Sequence, residues 1–229
     1  MIEFLFLDLD DTILDFKLAE YKALQGTLRE FGIEPTDPVC SRYSQINQLH
    51  WEALERGEMT RPQVMVGRFQ MLFEELGVQG DAAACSRRYM ENLGEGHDFL
   101  PGALEAVERL SRKYKLYAAT NGTKTVQTKR IEQAGLRKYF QNIFISQDIG
   151  IEKPAKEFFD ACFARIPGFD PKKAMIVGDS LTSDIQGGIN SGMLTCWVNP
   201  KHKISTTVQP DYQIEALSQL ESFLDTLVL

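Results

Sequence analysis

Short runs of consecutive apolar residues alternate with helix-length amphipathic segments along most of this chain. The run from Ile2 to Leu7 is β-prone and apolar almost throughout, as befits a central strand buried on both faces of a parallel sheet. Similar runs recur at Leu116–Ala119, Ile143–Ile145, Ala174–Val177 and Leu194–Val198. Between them lie amphipathic stretches at about 103–113, 124–134, 156–165 and 184–191. This alternation predicts a doubly wound α/β domain built on a parallel sheet.

From Phe16 to Asn92 the strand signal disappears and helical spacing takes over. Tyr21, Leu24, Leu28 and Phe31 share one helical face, and Val66, Phe69, Leu72, Phe73 and Leu76 share another. Gly32, Pro35 and Pro38 separate the first two helices, residues 57–62 the next pair, and residues 77–81 a further pair. Gly94, Gly96, Pro101 and Gly102 mark the return to sheet-type sequence. The expected organisation is an α/β core formed by residues 1–15 and 97–229, with an all-helical domain, residues 16–96, inserted into it.

Composition narrows the function. The chain has 229 residues, 43% hydrophobic and 25% charged, enough for a substantial core. A formal net charge of −7 disfavours a nucleic-acid polymer as partner, because such binding needs clustered Lys and Arg. Cys40, Cys85, Cys162 and Cys196 form no CxxC pair and are expected to be reduced and buried. His50, His97 and His202 are isolated, without zinc-ligand spacing. The apolar N-terminal run lacks a basic flank and is interrupted by Asp8, Asp10 and Asp11, so neither a signal peptide nor a membrane anchor is read there, and a cytoplasmic location is expected.

In open α/β sheets, ligands bind outside the carboxyl ends of the strands. The residues there are coherent: Asp8, Asp10, Asp11 and Thr12 after the first strand, Thr120, Asn121 and Gly122 after the second, Lys153-Pro154 ahead of a helix, and Asp179, Ser180 and Asp184 after the fourth strand. Taken singly, each group reads as an ordinary turn or helix cap; their ordered recurrence at successive strand ends does not. So many carboxylates at one sheet edge repel unless a hard cation joins them, and Mg²⁺ prefers carboxylate oxygens. Asp8 is then placed as nucleophile on phosphorus, and Asp10 as the group that protonates the leaving oxygen and later deprotonates water. Thr120 and Asn121 offer donors to a phosphoryl group, Gly122 allows close backbone approach, and Lys153 is a compact cation beside Asp8 and the phosphate. Asp179 is the expected direct metal ligand, while Asp184 either binds the metal through water or orients Lys153.

The strings DLDDT (8–12), ATNG (119–122), EKPAKEFF (152–159) and VGDSLTSD (177–184) resemble the four ordered motifs of the haloacid dehalogenase superfamily, and the resemblance spans the whole chain. It implies a Rossmann-like core whose helical insertion is a cap that closes over the sheet edge and chooses the substrate. It also implies Asp8 as nucleophile, Asp10 as acid/base, Thr120 as phosphate-binding residue, Lys153 as charge neutraliser and Asp179 as Mg²⁺ ligand, with Asp8 and the main-chain carbonyl of Asp10 completing the protein's share of the metal shell. Dehalogenases of the superfamily lack the second aspartate of the first motif, so Asp10 favours a phosphatase; the motifs alone do not separate a phosphatase from a phosphoglucomutase-type member. Residues 6–16, 146–154 and 178–200 are similar to the bacterial pyrimidine 5′-nucleotidase branch. The implied partner is a nucleotide or another small phosphorylated metabolite, with no nucleic-acid polymer and no membrane, and the enzyme a monomer or homodimer. Phosphatases of sugar phosphates or phosphoglycolate, and a non-catalytic phosphate-binding protein on the same fold, are the alternatives. In the helical insertion Phe16, Tyr21, Trp51, Arg56, Arg61 and Arg68 could stack on a base or grip an anion, but core packing for the aromatics and solvated surface for the arginines are the preferred readings.

Overall fold

A computed structural model of the protein describes residues 1–227. The chain opens with β1 (Phe4–Leu7), followed by four helices, α1 (Phe16–Glu30), α2 (Asp37–Glu55), α3 (Arg61–Leu76) and α4 (Ala82–Leu93). It continues with α5 (Ala103–Leu110), β2 (Lys115–Thr120), α6 (Lys124–Gln133), β3 (Asn142–Ile145), the single-turn α7 (Ser146–Ile149), α8 (Lys156–Phe163), β4 (Ala174–Gly178), α9 (Gln186–Ser191), β5 (Leu194–Val198), β6 (Tyr212–Ile214) and α10 (Leu220–Thr226). Two compact units result, one of residues 16–96 and the other of residues 1–15 with the chain from His97 onward.

The second of these units is built on a six-stranded sheet in the order β3-β2-β1-β4-β5-β6, every pair parallel. Because side chains alternate across a strand, the apolar run of β1 serves two cores. Leu5 and Leu7 join Leu116, Ala118, Met175 and Val177 under α5 and α10, whereas Phe4 and Phe6 join Tyr117, Ala119, Ile176 and the α8 residues Phe158 and Phe159. Removing a side chain such as Phe6 from water is worth roughly 1.5–3 kcal/mol. This double burial explains why the central strands read as unbroken hydrophobic runs. Among the described residues no helix is long and apolar enough to cross a membrane. All four cysteines are free and buried, and burial pushes the thiols of Cys85, Cys162 and Cys196 up to about 12.

The helical unit starts and stops where its caps require. Thr60 and Gln63 form a capping box ahead of α3, which ends on Gly77 in the left-handed conformation (φ 65°). Tyr43, Phe69 and Tyr89 pack inward on one another in tilted and edge-on contacts, but Tyr21 departs from the core reading: it is 38% exposed and its hydroxyl donates to Asp37 Oδ1 at 2.9 Å. Arg68 departs from the surface reading: it is only 1% exposed. Its guanidinium lies 4.8 Å from the Tyr89 ring centre and donates to Asn47 Oδ1 at 2.8 Å, and Asn47 in turn donates to Glu20 Oε1 at 2.7 Å. A buried arginine is tolerated where aromatic faces and acceptors replace its water.

Candidate active site

The carboxyl end of β1 delivers Asp8 into the sheet edge, where its N–H donates to Val177 O at 2.9 Å. The chain then turns sharply: the N–H groups of Ile13 and Leu14 both donate to Leu9 O, and Asp11 takes a left-handed conformation (φ 54°) that aspartate accepts more readily than most residues. This turn carries Asp10 out beside the same edge. Thr120 ends β2 and Asp179 follows β4.

Lys153 is the hub. Its ammonium has three protons, and it reaches three acceptors: Asp8 Oδ1 at 2.8 Å, Ala119 O at 2.7 Å and Asp184 Oδ1 at 2.5 Å. The side chain is 1% exposed, so these contacts replace its hydration. Burial lowers the affinity of the amine for its proton, but Asp184 and Asp8 more than offset this and hold the group above the ordinary lysine range. Asp184 sits in a π-helical turn, Leu181–Ile185, rather than in an α-helical first turn, and its other oxygen accepts from Ser180 N–H at 3.1 Å.

One carboxylate oxygen from each of Asp8, Asp179 and Asp184 lies within 4.8 Å of the others, a donor set that could hold a metal ion. Burial pushes the Asp8 carboxyl well above 3.8, Lys153 pulls it down, and Asp184, Asp10 and Asp179 push it up again. Burial is the first cause of the Asp8 shift and the neighbouring carboxylates add to it, whereas Lys153 is held up by Asp184 and Asp8 against its burial. Three carboxylates facing one ammonium leave the cluster two positive charges short. A hard divalent cation supplies that charge and accepts oxygen ligands.

Gly178 has a steric reason in this arrangement. A Cβ there would fall on the Asp184 carboxylate, with Asp184 Cβ only 2.7 Å away. Gly178→Ala is therefore expected to displace Asp184, cost about 1–3 kcal/mol in urea unfolding and reduce activity in parallel; an unchanged unfolding midpoint would show that Asp184 is not held as described.

Two expectations for the β2 end change. The Asn121 side chain, expected to face a phosphoryl group, instead braces Lys153, accepting from its N–H and donating to its carbonyl, each at 2.9 Å. Beside Gly122 the space is filled by a side chain of this protein, because an added Cβ would meet Gln127 Cγ at 2.7 Å. Gln127 and Arg130 were not expected at the site. Both lie on the buried face of α6; Gln127 Nε2 donates to Thr120 Oγ1 at 2.7 Å and to Asp10 Oδ2 at 3.0 Å, and Arg130 pairs with the other Asp10 oxygen. The available signal was two long polar residues, spaced i and i+3, sharing a helix face with Val126 and Ile131.

Residues 2–192 match the model of the haloacid dehalogenase-like hydrolase family. The chain belongs to that family. This haloacid dehalogenase-like hydrolase is 38% identical over 229 residues to the pyrimidine 5′-nucleotidase PynA of Streptococcus pneumoniae, covering 99% of this chain and 97% of the relative. It is 30% identical over 223 residues to the pyrimidine 5′-nucleotidase YjjG of Escherichia coli, covering 97% of each. The crystal structure of the magnesium-bound HAD-hydrolase YfnB of Bacillus subtilis is similar with a TM-score of 0.94 at 40% identity, covering 98% of this chain and 99% of that one.

Proposed function

We propose that this hydrolase is a phosphatase of nucleoside 5′-monophosphates, pyrimidine ones foremost, working through a phosphorylated Asp8. The observation that carries the substrate class is the end-to-end likeness to two proteins named pyrimidine 5′-nucleotidases. The mechanism rests on the site. Asp8, Asp179 and the main-chain carbonyl of Asp10 are the proposed Mg²⁺ ligands, with Asp184 completing the acidic set. When bound, Mg²⁺ supplies Lewis-acid polarisation of a phosphoryl oxygen and neutralises charge.

Lys153 fixes one Asp8 oxygen and leaves the other to attack phosphorus. As that bond forms, the phosphorus–ester oxygen bond breaks; its electron pair stays on the leaving oxygen, which takes a proton from Asp10. Asp10, now a carboxylate, removes a proton from water as the water oxygen bonds to phosphorus. The Asp8–phosphorus bond breaks, Asp8 is restored and inorganic phosphate leaves. Thr120 accepts from Gln127 Nε2, which leaves its own hydroxyl proton to donate to a phosphoryl oxygen. Residues 16–96 are read as a separate, substrate-selecting cap.

The test is phosphate release with Mg²⁺ across pyrimidine and purine nucleoside monophosphates, sugar phosphates and phosphoglycolate, with Asp8→Asn as blank. Selective release from UMP, dUMP or dTMP is expected. Preference for sugar phosphates or phosphoglycolate would overturn the substrate class, and no release at all would favour a non-catalytic phosphate-binding protein.

A further inference from the structure

The buried face of α6 is unusual for a helix packed on a sheet. Val126 and Ile131 are apolar, but between them Gln127 and Arg130 are 2% and 1% exposed. Burying long polar side chains is costly unless hydrogen bonds compensate for the lost water. Here the partners belong to the site. Arg130 Nη1 pairs with Asp10 Oδ1 and donates to Gln127 Oε1 at 2.9 Å; Gln127 spends its two amide protons on Asp10 Oδ2 and Thr120 Oγ1. Both oxygens of the Asp10 carboxylate are thus held from one helix, and the same amide ties Asp10 to Thr120. Gly122 leaves the room in which Gln127 lies.

We propose that Gln127 and Arg130 are positioning residues for the acid/base carboxylate of Asp10. They fix its orientation toward the ester oxygen, and Gln127 couples that orientation to the phosphoryl-binding hydroxyl of Thr120. Neither residue touches substrate. The proposal rests on the reading of Asp10 as the proton donor given above. Without the anchor, the short side chain of Asp10, at the edge of a turn and one-quarter exposed, samples rotamers that point away from the leaving group.

A positioning role predicts a loss that depends on the leaving group. A nucleoside alkoxide must be protonated as it departs, whereas p-nitrophenolate leaves without help. Because kcat/KM covers the steps up to loss of the leaving group, it isolates this event from hydrolysis of the phosphorylated enzyme. For Gln127→Met, Arg130→Met and Arg130→Lys, kcat/KM for a nucleoside 5′-monophosphate is expected to fall about 10–100-fold, within the span of general-acid contributions, and at least several-fold more than kcat/KM for p-nitrophenyl phosphate. Arg130→Lys should recover part of the selectivity lost in Arg130→Met. Gln127→Met retains the buried Arg130–Asp10 pair and serves where an Arg130 variant fails to fold. Asp10→Asn, assayed in parallel, separates the two claims. If Asp10→Asn shows the leaving-group dependence but the Gln127 and Arg130 variants lose both substrates equally, the positioning role is wrong and they only support the fold. If Asp10→Asn itself shows no such dependence, the reading of Asp10 as proton donor falls, and the positioning role with it.

Discussion

Asp8→Asn is expected to lose roughly four or more orders of magnitude in turnover on every phosphomonoester, as when a covalent nucleophile is removed, while folding normally. Its stability should follow an unusual pH pattern. The folded carboxyl of Asp8 is held well above 3.8 by burial and by neighbouring carboxylates, so between 3.8 and its folded pKa the folded protein binds more protons than the unfolded chain. Stability therefore falls as pH rises through that window, because ionised Asp8 is the costlier form in the fold. An amide cannot ionise. In chelator, Asp8→Asn should accordingly be at least as stable as the wild type at neutral pH, and the advantage should shrink toward pH 4 and when Mg²⁺ compensates the wild-type charge. Thermal unfolding of both proteins across pH, with chelator and with Mg²⁺, checks this; a variant clearly less stable than the wild type in chelator at neutral pH would refute the charge-deficit account.

Lys153→Met should produce the opposite result. It removes the sole ammonium of the tripod and leaves Asp8 and Asp184 buried and facing each other. Breaking a buried ion pair from one side costs about 3–5 kcal/mol, a large part of the stability of an ordinary domain. Activity should be lost as well, since Asp8 is no longer aimed. Mg²⁺ should restore part of the stability by returning positive charge to the cluster, though not the activity. Urea unfolding in chelator and in Mg²⁺ measures both effects, and a midpoint equal to that of the wild type in chelator would contradict the assigned role of Lys153 as the internal counter-charge.

The core was legible in the sequence because its information is local. β1, β2, β4 and β5 are buried on both faces along most of their length, and β3 at the sheet edge keeps the apolar Ile143–Ile145, so each reads as an apolar run. The residues that follow Leu7, Thr120 and Gly178 lie at the edge where strands end. β6 is the exception. It spans only Tyr212–Ile214 with Ile214 alone buried, too short and too exposed to leave a periodic trace. The missing parts of the site depend on partners far apart in the chain. That Asn121 would brace Lys153, or that Arg130 would reach Asp10 across 120 residues, follows from which strands are neighbours, and no window of local sequence carries that. Arg68 was misread for a related reason: its character suggests solvent, and only the packing of Tyr89, Phe69 and Asn47 around it supplies an interior that accepts a guanidinium.

The central claim is that Asp8 takes the phosphoryl group. The most direct measurement is to quench a single turnover of UMP with Mg²⁺, reduce the protein with borohydride, which converts an aspartyl phosphate to homoserine, and sequence the peptide spanning residues 1–17 by mass spectrometry. Homoserine at position 8, formed only when both UMP and Mg²⁺ are present and absent from Asp8→Asn, is the predicted result. Phosphate release at full rate with Asp8 never modified, or with the modification on another residue, would contradict the account.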